Sequence, residues 1–370
     1  MGNQFDKAMC LEKMKNAVEV LTGGQNTVIL DDAGNPSVMV WVPKFRICDV
    51  LPGGSDKVHP AFIVNGKEID GVYISKYQNV VIDGRAYSLP YEDAAVEMDI
   101  DEAMQYCNAK GKGWHLMSNA EWAAIALWCR AHNCMPLGNN NNGKSLVEPN
   151  SVGIPCAYDA KNPAKVTRTL TGSGPKTWAH NGKRDGIYDL LGNVSEMVGG
   201  YRLMDGELQV IPNNDTAAGV DQGPNSPHWK AILEDGSLVA PGTERTLKWD
   251  YIDGVPADDT MVNFKLSKKI AYQQKMEQTG QGRQHFSELT VDESIKEVPE
   301  YVKALALFPN DKGMYSGDIM AIRNIGERLP CRGGSYFGYG LAGLFFLYTR
   351  VPRTDRDTSL GFRSAYVPNL

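Results

Sequence analysis

The side chains best suited to a chemical task in this chain lie in its C-terminal segment, and that task is non-covalent recognition. Tyr and Phe alternate there with Gly, Arg, Asp and Thr. Aromatic side chains give large contact areas with few rotatable bonds, while small polar residues adapt their hydrogen bonds to a partner. Arginine adds cationic and stacking contacts. We therefore predict a ligand-binding surface made of Tyr336, Phe337, Gly338, Tyr339, Gly340, Leu341, Phe346, Tyr348, Thr349, Arg350, Val351, Thr354, Asp355, Arg356, Asp357 and Ser359.

The composition of this segment is also unusual. Residues 335–366 contain no Lys, Glu, Gln, Met or Trp, although all five types occur elsewhere in the chain. An asparagine codon that ends in a pyrimidine cannot yield any of these five types when its two adenines are replaced freely. The residue types that dominate the segment can all be reached in that way. The pattern predicts a variable region at about residues 335–359, diversified at adenines and set in a fixed frame.

Groups for covalent or metal chemistry are sparse by comparison. The six histidines are scattered singly, and the seven cysteines are odd in number and form no CxxC pair. Such a cysteine pattern favours free thiols in a reducing cytoplasm over a disulfide framework. The sequence therefore predicts no catalytic residue, no metal site and no cofactor.

The overall composition limits the classes of partner. The 370 residues carry a formal net charge of −6 with a pI near 5.6, which argues against nucleic acid as a general partner. No apolar run is long enough to span a bilayer, and the N-terminus lacks the apolar core of a signal peptide. We expect neither nucleic-acid binding nor membrane insertion, and synthesis in the cytoplasm.

The N-terminal residues 1–36 are predicted to form a helix and a hairpin. The helix covers residues 3–21 and ends at Gly23 and Gly24, and strands follow at Thr27–Leu30 and Ser37–Val42. Two heptads of apolar residues are compatible with a short assembly helix or with a helix packed on its own domain. These heptad positions are Leu11, Met14, Val18 and Leu21.

Further elements are indicated downstream. A short strand is predicted at residues 71–76, and capping boxes at Asp99–Glu102 and Ser118–Glu121 each begin a helix. Residues 139–143 form a polar loop. From about 200 to 312 the pattern weakens, so we predict a large insertion with one strand at Leu208–Ile211 and one helix at Glu293–Leu307.

Several spaced motifs resemble the formylglycine-generating-enzyme branch of the C-type lectin fold. They are Met39–Pro43, Gly71–Lys76, His115–Trp122, Gly186–Glu196, Arg332–Tyr336 and Gly361–Arg363. The resemblance implies an α+β domain of this fold at 37–370, with an N-terminal helix and the insertion. Arg332 and Arg363 are then expected to be buried and to pair with Asp189 or Glu196.

Within that branch, the C-terminal segment is most similar to the variable proteins of diversity-generating retroelements. Ala342–Phe345, Leu347, Pro352–Arg353 and Gly361–Arg363 match their fixed positions, whereas Tyr336 and Tyr339 stand where these proteins have Trp and Gly. Some relatives bind a structural Ca²⁺ near the counterparts of Asn193 and Glu196, and that question is open for this chain.

The resemblance implies a receptor-binding protein at a phage or prophage tail tip, carried on the virion after cytoplasmic synthesis. Its partner would be a protein or glycan on a host-cell surface, and it would act as a homo-oligomer, with a trimer as the form implied. The alternatives are an adhesin displayed on a bacterial surface and a formylglycine-generating-enzyme-like oxidoreductase. The oxidase uses two C-terminal cysteines, but no cysteine follows Cys331 here.

Overall fold

The computed structural model describes residues 2–313, 315 and 317–370, with side chains from residue 8 onward. The fold is mixed α+β, mostly sheet with few helices. The helices are α1 (Gly2–Leu21), α2 (Ile100–Asn108), α3 (Asn119–Ala131) and α4 (Glu300–Ala304). None of the described helices is both long enough and apolar enough to cross a membrane.

The strands of the first half of the chain are β1 (Asn26–Leu30), β2 (Pro36–Pro43), β3 (Ile63–Val64), β4 (Lys67–Glu68), β5 (Gly71–Ser75), β6 (Val80–Ile82), β7 (Arg85–Tyr87), β8 (Trp114–Leu116), β9 (Tyr158–Asp159), β10 (Asn162–Val166) and β11 (Ser195–Met197). Those of the second half are β12 (Tyr201–Met204), β13 (Glu207–Val210), β14 (Lys230–Ile232), β15 (Leu238–Val239), β16 (Lys248–Tyr251), β17 (Met261–Val262), β18 (Phe264–Ser267), β19 (Gln281–His285), β20 (Thr290–Val291), β21 (Ile319–Ile322), β22 (Glu327–Arg332), β23 (Leu347–Val351), β24 (Leu360–Phe362) and β25 (Ser364–Tyr366).

One sheet joins the two ends of the chain. Its order is β1-β2-β5-β25-β8, and all of its pairs are antiparallel. Ala365 of the C-terminal strand lies between Ile74 and His115. The predicted hairpin is confirmed, and its pairing crosses the predicted boundary between residues 36 and 37. Strand β1 is therefore part of the same sheet as the main domain.

Helix α1 is confirmed and packs against β1 at its C-terminal end. The Thr27 hydroxyl donates a 2.6 Å hydrogen bond to Glu19, and the amide of Gly24 closes the helix on the Glu19 carbonyl. Val20 and Leu21 are 81% and 85% exposed. The helix thus packs on its own domain at one end and leaves apolar side chains in solvent.

Both predicted capping boxes are present. Asp99 accepts a hydrogen bond from the amide of Glu102, and Ser118 from that of Glu121. Helix α3 lies in the core, where the Trp122 indole donates to the carbonyl of Leu344 at 2.8 Å. This bond connects the central helix to the C-terminal segment.

The predicted insertion is an integral part of a fourteen-stranded sheet rather than a loosely patterned region. It contributes β12–β20, and its large aromatic side chains Trp249, Tyr251, Phe264 and Phe286 are fully buried. The predicted strand at 208–211 appears as β13. The predicted helix at 293–307 is wrong except for α4, because Pro299 disfavours helical geometry at the residue before it and the helix begins only at Glu300.

The predicted burial of two guanidiniums is confirmed, but only one of them has a carboxylate partner. Arg363 donates to both oxygens of Glu196 at 2.5 and 2.6 Å, and both side chains are almost fully buried. Arg332 instead donates to the amide oxygen of Asn119 and to the carbonyl of Ala306.

Replacing Arg363 by Met should leave the Glu196 carboxylate buried without its partner and lower the free energy of unfolding by about 3–5 kcal/mol. Arg356→Met is the matched control, because Arg356 also pairs with carboxylates but is 48% exposed to water. Urea denaturation followed by circular dichroism would measure both. Equal losses in the two variants would contradict a special role for the buried pair.

Candidate functional site

The C-terminal segment forms a concave pocket of about 560 Å³ on one face of the large sheet. Strand β22 leads into the segment, a loop at 333–346 and strand β23 form its first half, and a loop at 352–359 returns to β24. The predicted residues that line the pocket are Phe337, Gly338, Tyr339, Leu341, Phe346, Tyr348, Arg350, Val351, Asp355, Asp357 and Ser359. The structure therefore brings most of the predicted surface together around one depression.

The alternation of side chains along β23 decides which residues reach this pocket. Tyr348 and Arg350 point into it. The side chain of Leu347 lies on the other side of the strand and is fully buried. Phe346 stacks on Tyr348 with ring centroids 5.9 Å apart, and the Arg350 guanidinium lies 4.9 Å from the Tyr348 ring. The result is a ladder of two rings and a cation, a form of contact suited to planar or apolar ligand groups.

One predicted contact residue needs correction. Thr349 has no exposed surface, because it lies on the opposite side of β23 from Tyr348 and Arg350, and it belongs to the core. Gly338 does line the pocket, but a Cβ atom there would lie 2.7 Å from the Cβ of Ala342. A larger residue at Gly338 would therefore require a local shift.

The remaining predicted residues lie around the pocket rather than in its lining. Tyr336 is half-buried and packs edge-on against Phe337 at 5.0 Å, while Gly340 and Thr354 are exposed. Arg356 pairs with Asp99 and Glu102 at the start of α2. Arg356 therefore fastens the 352–359 loop to that helix.

The loop that begins the segment is held by hydrogen bonds to its main chain. Tyr336 donates its amide to the Asn193 carbonyl and accepts from the Asn142 amide. Tyr339 donates its amide to the Asn140 carbonyl at 2.7 Å and accepts from the Asn140 side chain at 2.6 Å. Tyr339 has a φ of +49°, which these bonds fix in place. The polar loop predicted at 139–143 thus holds the main chain of the segment that begins at residue 333.

The far end of the same loop is held in a similar way. The Asp318 carboxylate accepts a 2.7 Å hydrogen bond from the amide of Phe345, and Trp122 binds the Leu344 carbonyl. Gly343 packs so closely on this carboxylate that an added Cβ would lie 1.9 Å from an oxygen of Asp318. Both ends of the loop are therefore fixed through its main-chain amide and carbonyl groups, and these bonds do not depend on the side chains of the loop.

Two pocket residues come from the insertion and were missed by the sequence prediction. Gln281 and Arg283 of β19 line the pocket, and Gln281 accepts a 2.8 Å hydrogen bond from Arg350. The strand Gln-Gly-Arg-Gln-His has no apolar alternation, so its sequence gives no sign of a strand. Its position follows from pairing with β21 on one side and β17 on the other.

The electrostatics of the pocket favour binding chemistry. Burial raises the pKa of the Tyr348 phenol, although Arg350 and Arg283 oppose this, so the hydroxyl is neutral. Burial and the neighbouring Asp357 raise the pKa of Asp355. Burial also raises the pKa of the Cys331 thiol, which keeps this cysteine protonated and a poor nucleophile.

The open question of a calcium site at Asn193 and Glu196 can be examined through their partners. Asn193 accepts from the Thr169 amide and donates to Gln78, and Glu196 is occupied by Arg363. Within the described residues, no group of three or more His, Cys, Asp or Glu side chains could hold a metal ion. These two residues instead form part of the buried scaffold beneath the pocket.

No protein-family model matches this chain, and no curated protein sequence matches it. Among solved structures, the chain is similar to PvdO from Pseudomonas aeruginosa at 14% sequence identity, with a TM-score of 0.36. That similarity covers 92% of this chain and 97% of PvdO. A similarity this distant assigns no function.

Gly343→Ala should destabilise the protein by about 1–3 kcal/mol, because the added methyl group collides with Asp318. Gly340→Ala is the matched control, since its added Cβ would meet only Leu146, at an ordinary 3.6 Å. Thermal melts of both variants would test this. A melting temperature for the Gly340 variant as low as that of the Gly343 variant would contradict the described packing.

Asp318 should contribute stability that is lost as pH rises from about 4 to about 7. Burial raises the pKa of Asp318 from its usual 3.8 to about 7, so in this window the folded chain holds a proton that the unfolded chain has lost. Asp318→Asn cannot ionise and lacks this contribution, so its stability should fall less, or rise more, with pH than that of the unchanged protein. The exposed control Asp253→Asn should keep the slope of the unchanged protein. Urea denaturation at several pH values would measure the slopes; an unchanged slope in the Asp318 variant would refute the prediction.

Proposed function

We propose that this chain is a ligand-binding protein that presents a diversified pocket on a rigid frame, as do the variable proteins of diversity-generating retroelements. The observation that carries the proposal is the clamping of residues 336–345 through main-chain atoms, while Phe337, Tyr339 and Leu341 of this loop line the pocket. Such a frame permits exchange of side chains without loss of the backbone shape. The motifs from Met39 to Arg363 support a C-type lectin fold of the formylglycine-generating-enzyme branch.

The pocket chemistry supports binding over catalysis. Its aromatic ladder and flanking Asp and Arg residues have the composition of an adaptable recognition surface. An oxidoreductase of the related type would need a second cysteine beside Cys331, and the Cys331 thiol is itself buried. We therefore propose that the chain is not an enzyme and that it needs no cofactor for its task.

The setting we propose is the tail tip of a phage or prophage, with a protein or glycan on a host cell as the partner. A homo-oligomer, with a trimer as the implied form, would add avidity to each single-site contact. The exposed Val20 and Leu21 at the end of α1 offer a surface for such assembly. An adhesin displayed on a bacterial surface would use the same pocket in the same way.

The genetic part of the proposal has a direct test in the flanking DNA. We expect a near-copy of the codons for residues 335–366, with adenines at the variable positions, beside a reverse-transcriptase gene. Sequencing related isolates should show substitutions concentrated at outward positions such as Phe337, Tyr348 and Arg350. Substitutions spread evenly over the chain would contradict diversification of this segment.

Replacing Tyr348 by Ser should weaken host-surface binding by about 5- to 30-fold, because a central aromatic contact contributes ~1–2 kcal/mol. Tyr158→Ser is the matched control, since Tyr158 is 53% exposed and does not line the pocket. Fluorescently labelled protein and a panel of bacterial isolates would measure cell binding, and circular dichroism would confirm folding. Equal binding by the two variants, with Phe337→Ser also unchanged, would rule out the pocket as the ligand site.

A further inference from the structure

Four arginines beside the pocket lack a carboxylate partner. Arg283, Arg323, Arg328 and Arg350 form no ion pair within the described part of the chain, whereas Arg168, Arg202, Arg353 and Arg363 each bind a carboxylate. The hydrogen bonds of the four go to amide and carbonyl oxygens and to thioether sulfurs. In a chain of net charge −6, such a cluster of unneutralised guanidiniums is unexpected.

The sheet places these side chains side by side. Arg283 of β19 lies opposite Ala321, which lies opposite Tyr348, so the three form one row across the sheet. The Arg323 amide donates to the Thr349 carbonyl, which places Arg323 next to Arg350 in the adjacent row.

Met276 connects Arg328 to the other arginines of the cluster. Arg323 donates to the Met276 carbonyl at 3.3 Å, and Arg328 contacts the Met276 sulfur at 3.5 Å. Arg328 is 4% exposed, while Arg283, Arg323 and Arg350 are partly exposed. Arg283 and Arg350 line the pocket, and the partly exposed Arg323 lies next to Arg350 outside that lining, so three guanidiniums can meet a ligand. The buried Arg328 adds positive charge to the cluster.

The cluster carries an electrostatic cost. Burial, together with the charges of Arg323 and Arg350, lowers the pKa of Arg328 to about 10. Three carboxylates act on the cluster without forming an ion pair in the described residues: Asp258 on Arg323, Asp205 on Arg328 and Asp355 on Arg350. An anion bound at this face would relieve the repulsion, because like charges are stabilised by an opposite charge between them.

We propose that Arg283, Arg323 and Arg350 bind the acidic groups of an anionic polysaccharide. This inference rests on the proposed function of the pocket as the ligand site. Guanidiniums recognise carboxylate and phosphate oxygens through paired hydrogen bonds. The rings of Phe346 and Tyr348 offer flat surfaces on which sugar rings can lie.

Two carboxylates in the pocket favour a polysaccharide over DNA. Asp355 and Asp357 line the same pocket as Arg283 and Arg350, and their oxygens can accept hydrogen bonds from sugar hydroxyls. The same carboxylates would repel the phosphates of DNA, whose internal deoxyribose units offer them no hydroxyl. A polymer that carries both acidic groups and free hydroxyls fits both kinds of side chain.

The test uses four immobilised polymers and the full-length protein. Polygalacturonate carries a carboxylate on every sugar, hyaluronate carries one on every second sugar, dextran is neutral and a thymidine 20-mer represents nucleic acid. We expect binding to one or both acidic polymers, weakening with added salt, and none to dextran. Arg283→Gln and Arg323→Gln should each weaken this binding at least about tenfold, since each removes a charge-assisted contact.

Arg184→Gln provides the control, because Arg184 is exposed and belongs neither to the pocket lining nor to the cluster of four arginines. Thermal melts of each variant separate lost binding from lost folding. Arg283 is the cleaner position because the only described hydrogen bond of its side chain is to the Met261 sulfur. Unchanged binding by Arg283→Gln, or tighter binding to the thymidine 20-mer than to either acidic polysaccharide, would overturn the inference. Host-cell binding without binding to any acidic polymer would overturn it too, yet leave the proposed function standing. If the protein bound neither host cells nor any acidic polymer, the result would also count against the proposed function.

Discussion

The buried contact between Arg363 and Glu196 is the constraint on which the rest of the structure depends. Arg363 also donates to the carbonyls of Ser75 and Tyr188, so one guanidinium fastens three segments far apart in sequence. Gln78 donates to Glu196 from the other side. Because a charge in the interior is tolerated only with its partners in place, these segments must assemble together. The pocket is built on the frame that results, since β11 and β24 run parallel through this pair.

In the part of the chain that forms the pocket, the residues that pack in the core differ from those that face the pocket. Leu347 and Thr349 face the core, and Tyr348 and Arg350 face the pocket, because neighbouring residues on a strand point to opposite sides. A second wall comes from β19, which lies two strands away across the sheet. The proposed binding site thus draws on β23, within the predicted variable region, and on β19, outside it.

Local signals in the sequence predicted much of this arrangement. Capping boxes and the hairpin could be recognised because each depends on residues close in sequence. The burial of Arg363 was expected from the family resemblance. Strand β19 could not, because a polar strand is specified by its neighbours in the sheet. Thr349 was assigned to the surface on its residue type, but its side is set by the pairing register of β23. The prediction of a helix at 293–307 was wrong because Pro299 disfavours helical geometry at the preceding residue, and the apolar spacing did not overcome this effect.

The main-chain clamp formed by Asn140, Asn142 and Asn193 has a practical consequence for protein engineering. The clamp binds amide and carbonyl groups, which nearly every amino acid provides in the same positions. A gene library randomised at the outward positions 337, 341, 348 and 350 would therefore yield many different surfaces on one backbone. Screening such a library could supply recombinant binders that need neither disulfides nor long flexible loops.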